Sequence, residues 1–411
     1  KMSLFVARST ISSFSNPTSK ISGRSSYSTE APFFSTQQKN GSIFHLNRPK
    51  ALNSLNLEMI RAMHPTLLKL DDAYASGKGD TNVVIALGEG GKAFCAGGDV
   101  VAILKSAASD DKSLSHSFFA EEYALNAAIH RLRVPYVAVL DGITMGGGVG
   151  ISVHGRFRVA TEKTMFAMPE SAIGFFCDVG GSYFLPRLQT PLSKSLGFYL
   201  GLTGERLRGA DVFHAGVATH FVPAQKVPEL IEKLCSEAAP DDQGASVQKV
   251  LDAFHENDLP EPSVDIQTGR LIEEHFSPSL SVKETFAALQ TTYAQDAATV
   301  GSLEWAEKML KKLNSVSPTS LVVIHEQLKR GLACHSLEEA LQMEYRIARA
   351  YMADTKSDFF EGVRALLVDK DNAPKWNPPS IDQVDEAKVI QKYFATLGDD
   401  ELVLNQAKSK L

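Results

Sequence analysis

Cysteine is scarce in this chain: four in 411 residues, at positions 95, 177, 235 and 334. They lie far apart and form no C-x-x-C pair, so neither a disulfide framework nor a zinc site is suggested. A reducing compartment fits that usage. No run of about 20 apolar residues occurs, so no transmembrane helix is expected. Neither sign of charge dominates. Lys and Arg total 42, Asp and Glu total 48, and the net charge is −6, which argues against a dedicated nucleic-acid binder. The 44% hydrophobic and 22% charged content is that of a soluble globular protein. It excludes a collagen-like or mainly disordered chain. The length fits two or three domains at roughly 150 residues each and suffices for a large core.

The two ends read as addresses. Residues 1–38 carry Arg8, Lys20 and Arg24, many Ser and Thr, and no acid before Glu30. This is the composition of a mitochondrial targeting segment, expected to be disordered. A tail at 399–411 ends in Ser409-Lys410-Leu411, the peroxisomal tripeptide. The N-terminal signal is longer and is read first, so the mitochondrial matrix is the expected location, with the peroxisome or dual targeting as the alternative.

Between the ends the pattern divides in two. Ser42–Leu46, Asn82–Leu87, Pro135–Leu140 and Phe157–Ala160 are short apolar runs that read as strands. Leu57 to about Ala75 and Phe119–His130 have helical spacing. Strands alternating with helices predict an α/β domain over 39–227. Beyond Val227 the strand signals fade, and a helical region punctuated by Pro260, Pro262, Pro278 and Pro318 is expected over 228–398. No repeat of fixed period is seen.

Three glycine-rich segments follow strand signals. The first is Lys92-Ala93-Phe94-Cys95-Ala96-Gly97-Gly98-Asp99. The second runs from Gly142 to Gly150 and holds Gly146, Gly147 and Gly148. Glycine admits close backbone approach, and a turn that opens a helix leaves N–H groups unpaired. Two such turns can aim two donors at one oxygen, forming an oxyanion hole. Phosphate binding and tight helix–strand packing are the rival readings. Neither segment has the G-x-x-x-x-G-K-S/T or G-x-G-x-x-G spacing of a nucleotide loop. The third segment, Phe166 to Gly181, sets Glu170 and Asp178 in apolar, glycine-rich surroundings. Such surroundings raise a carboxyl pKa and suit acid–base work, although either acid could instead cap a helix or sit in water.

Taken together, the strings 91–99, 142–154 (GITMGGGVGISVH), 157–186 and 215–222 (AGVATHFV) resemble the crotonase, or enoyl-CoA hydratase/isomerase, superfamily. Ser317-Pro318-Thr319-Ser320, Met343-Glu344-Tyr345-Arg346, Phe360–Ala365, Asp369-Lys370 and Pro374-Lys375-Trp376 extend the likeness to its acyl-CoA hydrolase branch. The resemblance runs from about Gly41 to Leu397. It implies a ββα superhelix core with a helical C-terminal region.

It also implies roles. Gly98 and Gly147 match the two oxyanion-hole positions, and Glu122, Gly147, Glu170 and Asp178 match four positions that line the acyl group. Glu170 would be the nucleophile or the base for water, Asp178 would move the accompanying protons, and Glu122 would bind a substrate hydroxyl. The hydratase branch places a second glutamate three residues after the oxyanion glycine, where this chain has Gly150, so the resemblance implies thioester hydrolysis rather than hydration. The implied substrate is 3-hydroxyisobutyryl-CoA of valine breakdown, with 3-hydroxypropionyl-CoA as a second. Coenzyme A enters only as part of the substrate; no other cofactor and no metal are implied. Lys92 is read as an exposed turn lysine, and His154, His214 and His220 as packing residues. One departure stands out: the hydrolase branch usually has proline before its catalytic aspartate, and this chain has Cys177. A non-catalytic scaffold, as in a mitochondrial small ribosomal subunit, is the alternative and would bring nucleic-acid contact. The resemblance leaves the oligomeric state open between trimer, dimer and monomer.

Overall fold

Apolar residues alternate in facing along the central strands, and this alternation builds two cores. The described residues of the computed structural model are 31–240, 242–294 and 300–404. Its strands are β1 (Phe33–Gln38), β2 (Gly41–Leu46), β3 (Val83–Gly88), β4 (Ala93–Cys95), β5 (Tyr136–Leu140), β6 (Ile143–Met145), β7 (Phe157–Ala160), β8 (Met165–Ala167), β9 (Leu207–Arg208) and β10 (His220–Phe221). A six-stranded sheet runs β1-β2-β3-β5-β7-β10, and a four-stranded sheet runs β4-β6-β8-β9. Successive strands thus leave one sheet for the other: β3 to β4, β5 to β6, β7 to β8. The pairs β3–β4 and β5–β6 are each followed by a helix, which is the ββα superhelix.

The pairing within the large sheet is parallel from β2 to β7, with Ile43 opposite Ile85 and Ile85 opposite Val137. Successive strand residues face opposite sides. Ile43, Val83, Ile85, Val137 and Val139 therefore pack on one side, while Phe44, Leu46, Val84, Ala138 and Leu140 join the larger core on the other.

The helices of the first half are α1 (Leu57–Ala75), α2 (Val100–Ala107), α3 (Ser113–Arg131), α4 (Gly147–Val153), α5 (Gly181–Phe184), α6 (Leu196–Thr203) and α7 (Asp211–His214). Then come α8 (Val227–Glu237), α9 (Ala245–Phe254), α10 (Ile266–His275), α11 (Val282–Ala294), α12 (Val300–Asn314), α13 (Pro318–Ala333), α14 (Leu337–Ala353), α15 (Asp358–Val363) and α16 (Glu386–Tyr393). Helices α8 and α9 cover the outer face of the large sheet with Val227, Leu230, Leu234, Val247, Val250 and Leu251. Caps fix the starts of α1 and α13: Asn56 accepts from Met59 N at 3.0 Å, and Ser317 accepts from Ser320 N at 3.0 Å. No helix among the described residues is long and apolar enough to cross a membrane.

Three expectations change. The segment expected to be disordered to residue 38 includes a strand: Phe33–Gln38 forms β1, antiparallel to β2 from Phe33 opposite Leu46 to Gln38 opposite Gly41. Phe33 meets Phe44 edge-on at 5.1 Å. The strand reads as a tail because it is an edge strand with Gln37 and other polar side chains outward. The rest of the targeting segment and the Ser409-Lys410-Leu411 terminus lie outside the described residues. Helix α3 starts at Ser113, six residues before its expected start, where Asp111 accepts from Ser113 N at 2.9 Å and Ser115 is buried. Finally, the change near Val227 is one of secondary structure and not of packing: one hydrophobic cluster runs from Phe33 to Leu404 and includes residues of both halves.

Candidate active site

The second sheet delivers the chemistry. Strands β4 and β6 pair in parallel, Ala93 opposite Ile143, and so bring the two glycine turns side by side. At Gly146 the backbone takes φ +46°, a left-handed conformation that favours glycine. A methyl group on Gly147 would sit 3.3 Å from the carbonyl carbon of Gly97 and 2.7 Å from Oε1 of Glu122. The first turn is pinned by Leu55 N to Gly97 O and Asp99 N to Leu55 O, both 2.8 Å, and by Arg48 paired with Asp99 at 2.9 Å. Gly147 is the first residue of α4, where an N–H has no partner within the helix. The structure thus gathers Gly98, Gly147 and Glu122 around one spot.

Strand β8 leads directly to Glu170, the first residue of a 3-10 turn over Glu170–Ile173. Its Oε1 lies 3.1 Å from where a methyl on Gly146 would stand. Asp178 follows on the next turn, and the hydroxyl of Tyr123, one residue after Glu122 on α3, donates to its Oδ2 at 3.0 Å. Glu122, Glu170 and Asp178 are only 2%, 5% and 6% exposed. Burial raises all three carboxyl pKa values well above the ordinary range, and the nearby Asp178 charge raises Glu122 and Glu170 further. Asp178 is pulled back down by the Tyr123 hydroxyl. Glu122 Oε1 and Glu170 Oε2 are buried with no hydrogen-bond partner among the described residues. The Asp178 charge acts on both Glu122 and Glu170, so the three acids titrate as an interacting set.

The space beside Gly150 is taken. A methyl there would lie 2.6 Å from Cβ of Val179 and 2.9 Å from the Asn126 amide nitrogen. A second glutamate at that position has no room.

Cys177 is fully buried, with its thiol 3.6 Å from Gly201 O. Burial, and then the charges of Glu170 and Asp178, push its pKa well above the ordinary thiol value. It is no nucleophile. Lys92 stands exposed on the first turn. His214 bonds Pro260 O at 2.9 Å and His220 bonds Asp252 at 3.1 Å, both away from the acids. His154, expected as packing, does more: burial lowers its pKa to about 4, and its Nε2–H donates to Val179 O at 2.7 Å, next to Asp178. Sequence reasoning also passed over Tyr123, Asn126, Gln327 and Glu344. Tyr123 adjoins the singled-out Glu122, and Glu344 lies inside a quoted string; Asn126 and Gln327 carry no local signal.

Comparison with known proteins agrees with this geometry. The enoyl-CoA hydratase/isomerase family pattern matches residues 42–394. The 3-hydroxyisobutyryl-CoA hydrolase, mitochondrial, of Xenopus tropicalis is 45% identical over 362 residues, covering 88% of this chain and 88% of its own. The protein of that name in Dictyostelium discoideum is 43% identical over 382 residues, 92% of this chain and 94% of its own. The one in Homo sapiens is 43% identical over 360 residues, 88% and 87%. Among solved structures, a carnitinyl-CoA dehydratase from Mycobacterium thermoresistibile superposes with TM-score 0.78 at 35% identity, covering 92% of this chain and 99% of its own. An enoyl-CoA hydratase from Rhodobacter sphaeroides gives 0.76 at 31% identity, covering 90% and 99%.

Proposed function

The chain belongs to the enoyl-CoA hydratase/isomerase family, and from that membership we propose that it hydrolyses the thioester of 3-hydroxyisobutyryl-CoA to the free acid and coenzyme A. The observation that carries the choice of hydrolysis is the closed space at Gly150: Val179 stands where a second hydratase glutamate would have to go. The pair available for chemistry is Glu170 and Asp178. Curated relatives 43% to 45% identical over about nine-tenths of the chain carry the hydrolase name, which supports the same reading and removes the ground for a non-catalytic scaffold.

The residues act in sequence. The N–H groups of Gly98 and Gly147 receive the thioester oxygen and stabilise the negative charge that forms on it, each worth about 3 to 4 kcal/mol. Glu170 attacks the carbonyl carbon as a carboxylate, forming a mixed anhydride that water then cleaves to the free acid and free Glu170, or it takes a proton from the water that attacks the carbonyl directly. The C–S bond breaks, and the leaving sulfur takes a proton from the acid cluster through Asp178. Glu122, with its bare Oε1 beside Gly147, binds the substrate hydroxyl. A buried acid left unpaired by a substrate lacking that hydroxyl selects strongly against it. 3-Hydroxypropionyl-CoA keeps the hydroxyl and is the expected second substrate. The curated relatives are named mitochondrial, and residues 1–38 have the matching composition, so valine breakdown in the mitochondrial matrix is the setting.

The test is release of free thiol by the purified full chain from 3-hydroxyisobutyryl-CoA, with isobutyryl-CoA and crotonyl-CoA as comparisons. Fast release from the hydroxylated substrate alone, abolished by Glu170→Ala, is expected. Water addition to crotonyl-CoA without thiol release would sink the hydrolase reading.

A further inference from the structure

Directly after Asp178 the chain does something costly. Val179 has φ +56°, and a β-branched residue in the left-handed region is a genuine strain. Strain of this kind persists only where the surroundings hold it in place. Here they do so from several sides. Gln327 Nε2 donates to Cys177 O at 2.6 Å, and His154 donates to Val179 O at 2.7 Å. Gly180 N donates to Glu344 Oε2 at 2.6 Å, and Ser182 N donates to Glu344 Oε1 at 2.9 Å. The Ser182 hydroxyl also bonds Oε1 of Glu344.

Gln327 belongs to α13 and Glu344 to α14, both fully buried and both from the helical region. The same region grips the Glu170 turn: Ser317 N donates to Ser171 O at 3.1 Å. A methyl on Gly174 would strike the carbonyl oxygen of Asp358. The helices added to the α/β core thus reach the backbone at both working acids.

Of these contacts Glu344 is the most demanding. Burying a carboxyl so completely is expensive and pushes its pKa up to about 8, against the pull of its Ser182 and Gly180 donors. An apolar side chain would fill the volume without that cost. Three donors converge on its two oxygens, an arrangement that the ionised carboxylate, which only accepts, satisfies in full. A glutamine would turn an NH2 toward one of the backbone N–H groups. The ionisable groups that sense Glu344 are Asp178, Tyr123, Cys177 and Cys334, the first two being the hydrogen-bonded pair at the site.

We propose that Glu344 is a positioning residue for hydrolysis: from α14 it clamps Gly180 and Ser182, keeps Val179 left-handed, and so aims Asp178 into the acid cluster. This rests on the reading of Asp178 as a working acid. Glu344 itself never touches substrate.

The experiment is Glu344→Gln in the full chain, with kcat and KM for 3-hydroxyisobutyryl-CoA and a crystal structure of the variant. Misplacing a reacting group by about 1 Å costs on the order of 100-fold, so kcat should fall roughly 10- to 100-fold while KM stays within about threefold. In the variant structure the Tyr123–Asp178 bond should be broken. A folded variant that keeps wild-type kcat, or one whose loss lies in KM, overturns the proposal. If Glu344→Gln does not fold, Ser182→Ala removes one donor and leaves the backbone bonds. It should lower kcat by a factor of about 2 to 5, the loss of one ordinary hydrogen bond, and no change there overturns the proposal equally. Should the unmodified chain release no thiol, the hydrolase reading fails, and the variant's Tyr123–Asp178 distance still decides the role of Glu344.

Discussion

The Tyr123 hydroxyl donates to Asp178 Oδ2 over 3.0 Å in a fully buried setting, and that bond pulls the Asp178 pKa down against the upward push of burial. A hydrogen bond to the charged form favours it. Tyr123→Phe removes the donor, so the Asp178 pKa rises. Asp178 must be protonated to supply the sulfur's proton, so it sets the alkaline limb of the pH–rate profile for thiol release, and that limb should move to higher pH by about one unit, the effect of one hydrogen bond to a charge. A profile that does not move would show that Asp178 is not the group titrating on that limb.

Glu122 carries its unpartnered Oε1 next to Gly147, and this arrangement suits a substrate hydroxyl. Glu122→Leu keeps the volume and removes the polar group. The preference for 3-hydroxyisobutyryl-CoA over isobutyryl-CoA, as a ratio of kcat/KM values, should fall by about 100-fold or more. A preference that survives places the selector elsewhere.

Gly98, Gly147, Glu170 and Asp178 were legible because they sit in contiguous strings, Gly91–Asp99, Gly142–His154 and Phe157–Pro186, whereas Glu122 lies outside them and came only through the family resemblance. The long buried strands β3 and β5 were legible from their apolar runs. The second sheet was not, since β4, β6 and β8 have three residues each, too few to show a period. Strand β1 was hidden by its polar residues, with Thr36 and Gln37 exposed. The contacts that hold Asp178 were hidden for a different reason. Gln327 and Glu344 lie 150 and 164 residues from the backbone atoms they bind, and no local pattern marks such a pairing. On α14, Glu344 reads as one more helix acid until the fold buries it.

Cys177 stands where the hydrolase branch usually has proline, so the backbone before Asp178 lacks that ring's fixed dihedral. The structure holds residue 177 by its carbonyl, through Gln327, with the thiol only 3.6 Å from Gly201 O. Cys177→Ala leaves the Gln327 bond intact. Thiol release should stay within about threefold of wild type, with stability lower by about 1 to 2 kcal/mol for the lost buried sulfur. A loss of activity beyond tenfold in a folded variant would mean that the thiol itself shapes the Glu170 site.

Gly150 meets Val179 so closely that even a methyl is too large. Gly150→Ala should destabilise the chain by about 1 to 3 kcal/mol, the usual cost of overpacking, read as a lower denaturant midpoint. It should also lower thiol release, because Val179 is displaced beside Asp178. Gly150→Glu should confer no hydration of crotonyl-CoA. Measurable water addition by that variant would show that the site can open, and would weaken the structural case against hydration.

Glu170 shows the cost of the machinery. Its carboxyl is held buried with Oε2 unpartnered, and burial followed by the Asp178 charge raises its pKa well above the ordinary value. The folded state therefore binds its proton more tightly than the unfolded chain, where glutamate titrates near ~4.3. Below that value both states are protonated and the group carries no penalty. As pH rises, the unfolded chain ionises first and gains free energy that the folded protein cannot match, so stability falls until the folded pKa is passed. Glu170→Gln removes the titration. The variant should melt at about the wild-type temperature at pH 4 and roughly 2 °C or more above it at pH 8, while losing thiol release. A melting difference that is constant across that range would mean that Glu170 titrates alike in the folded and unfolded states, and that its burial beside Asp178 does not raise its pKa.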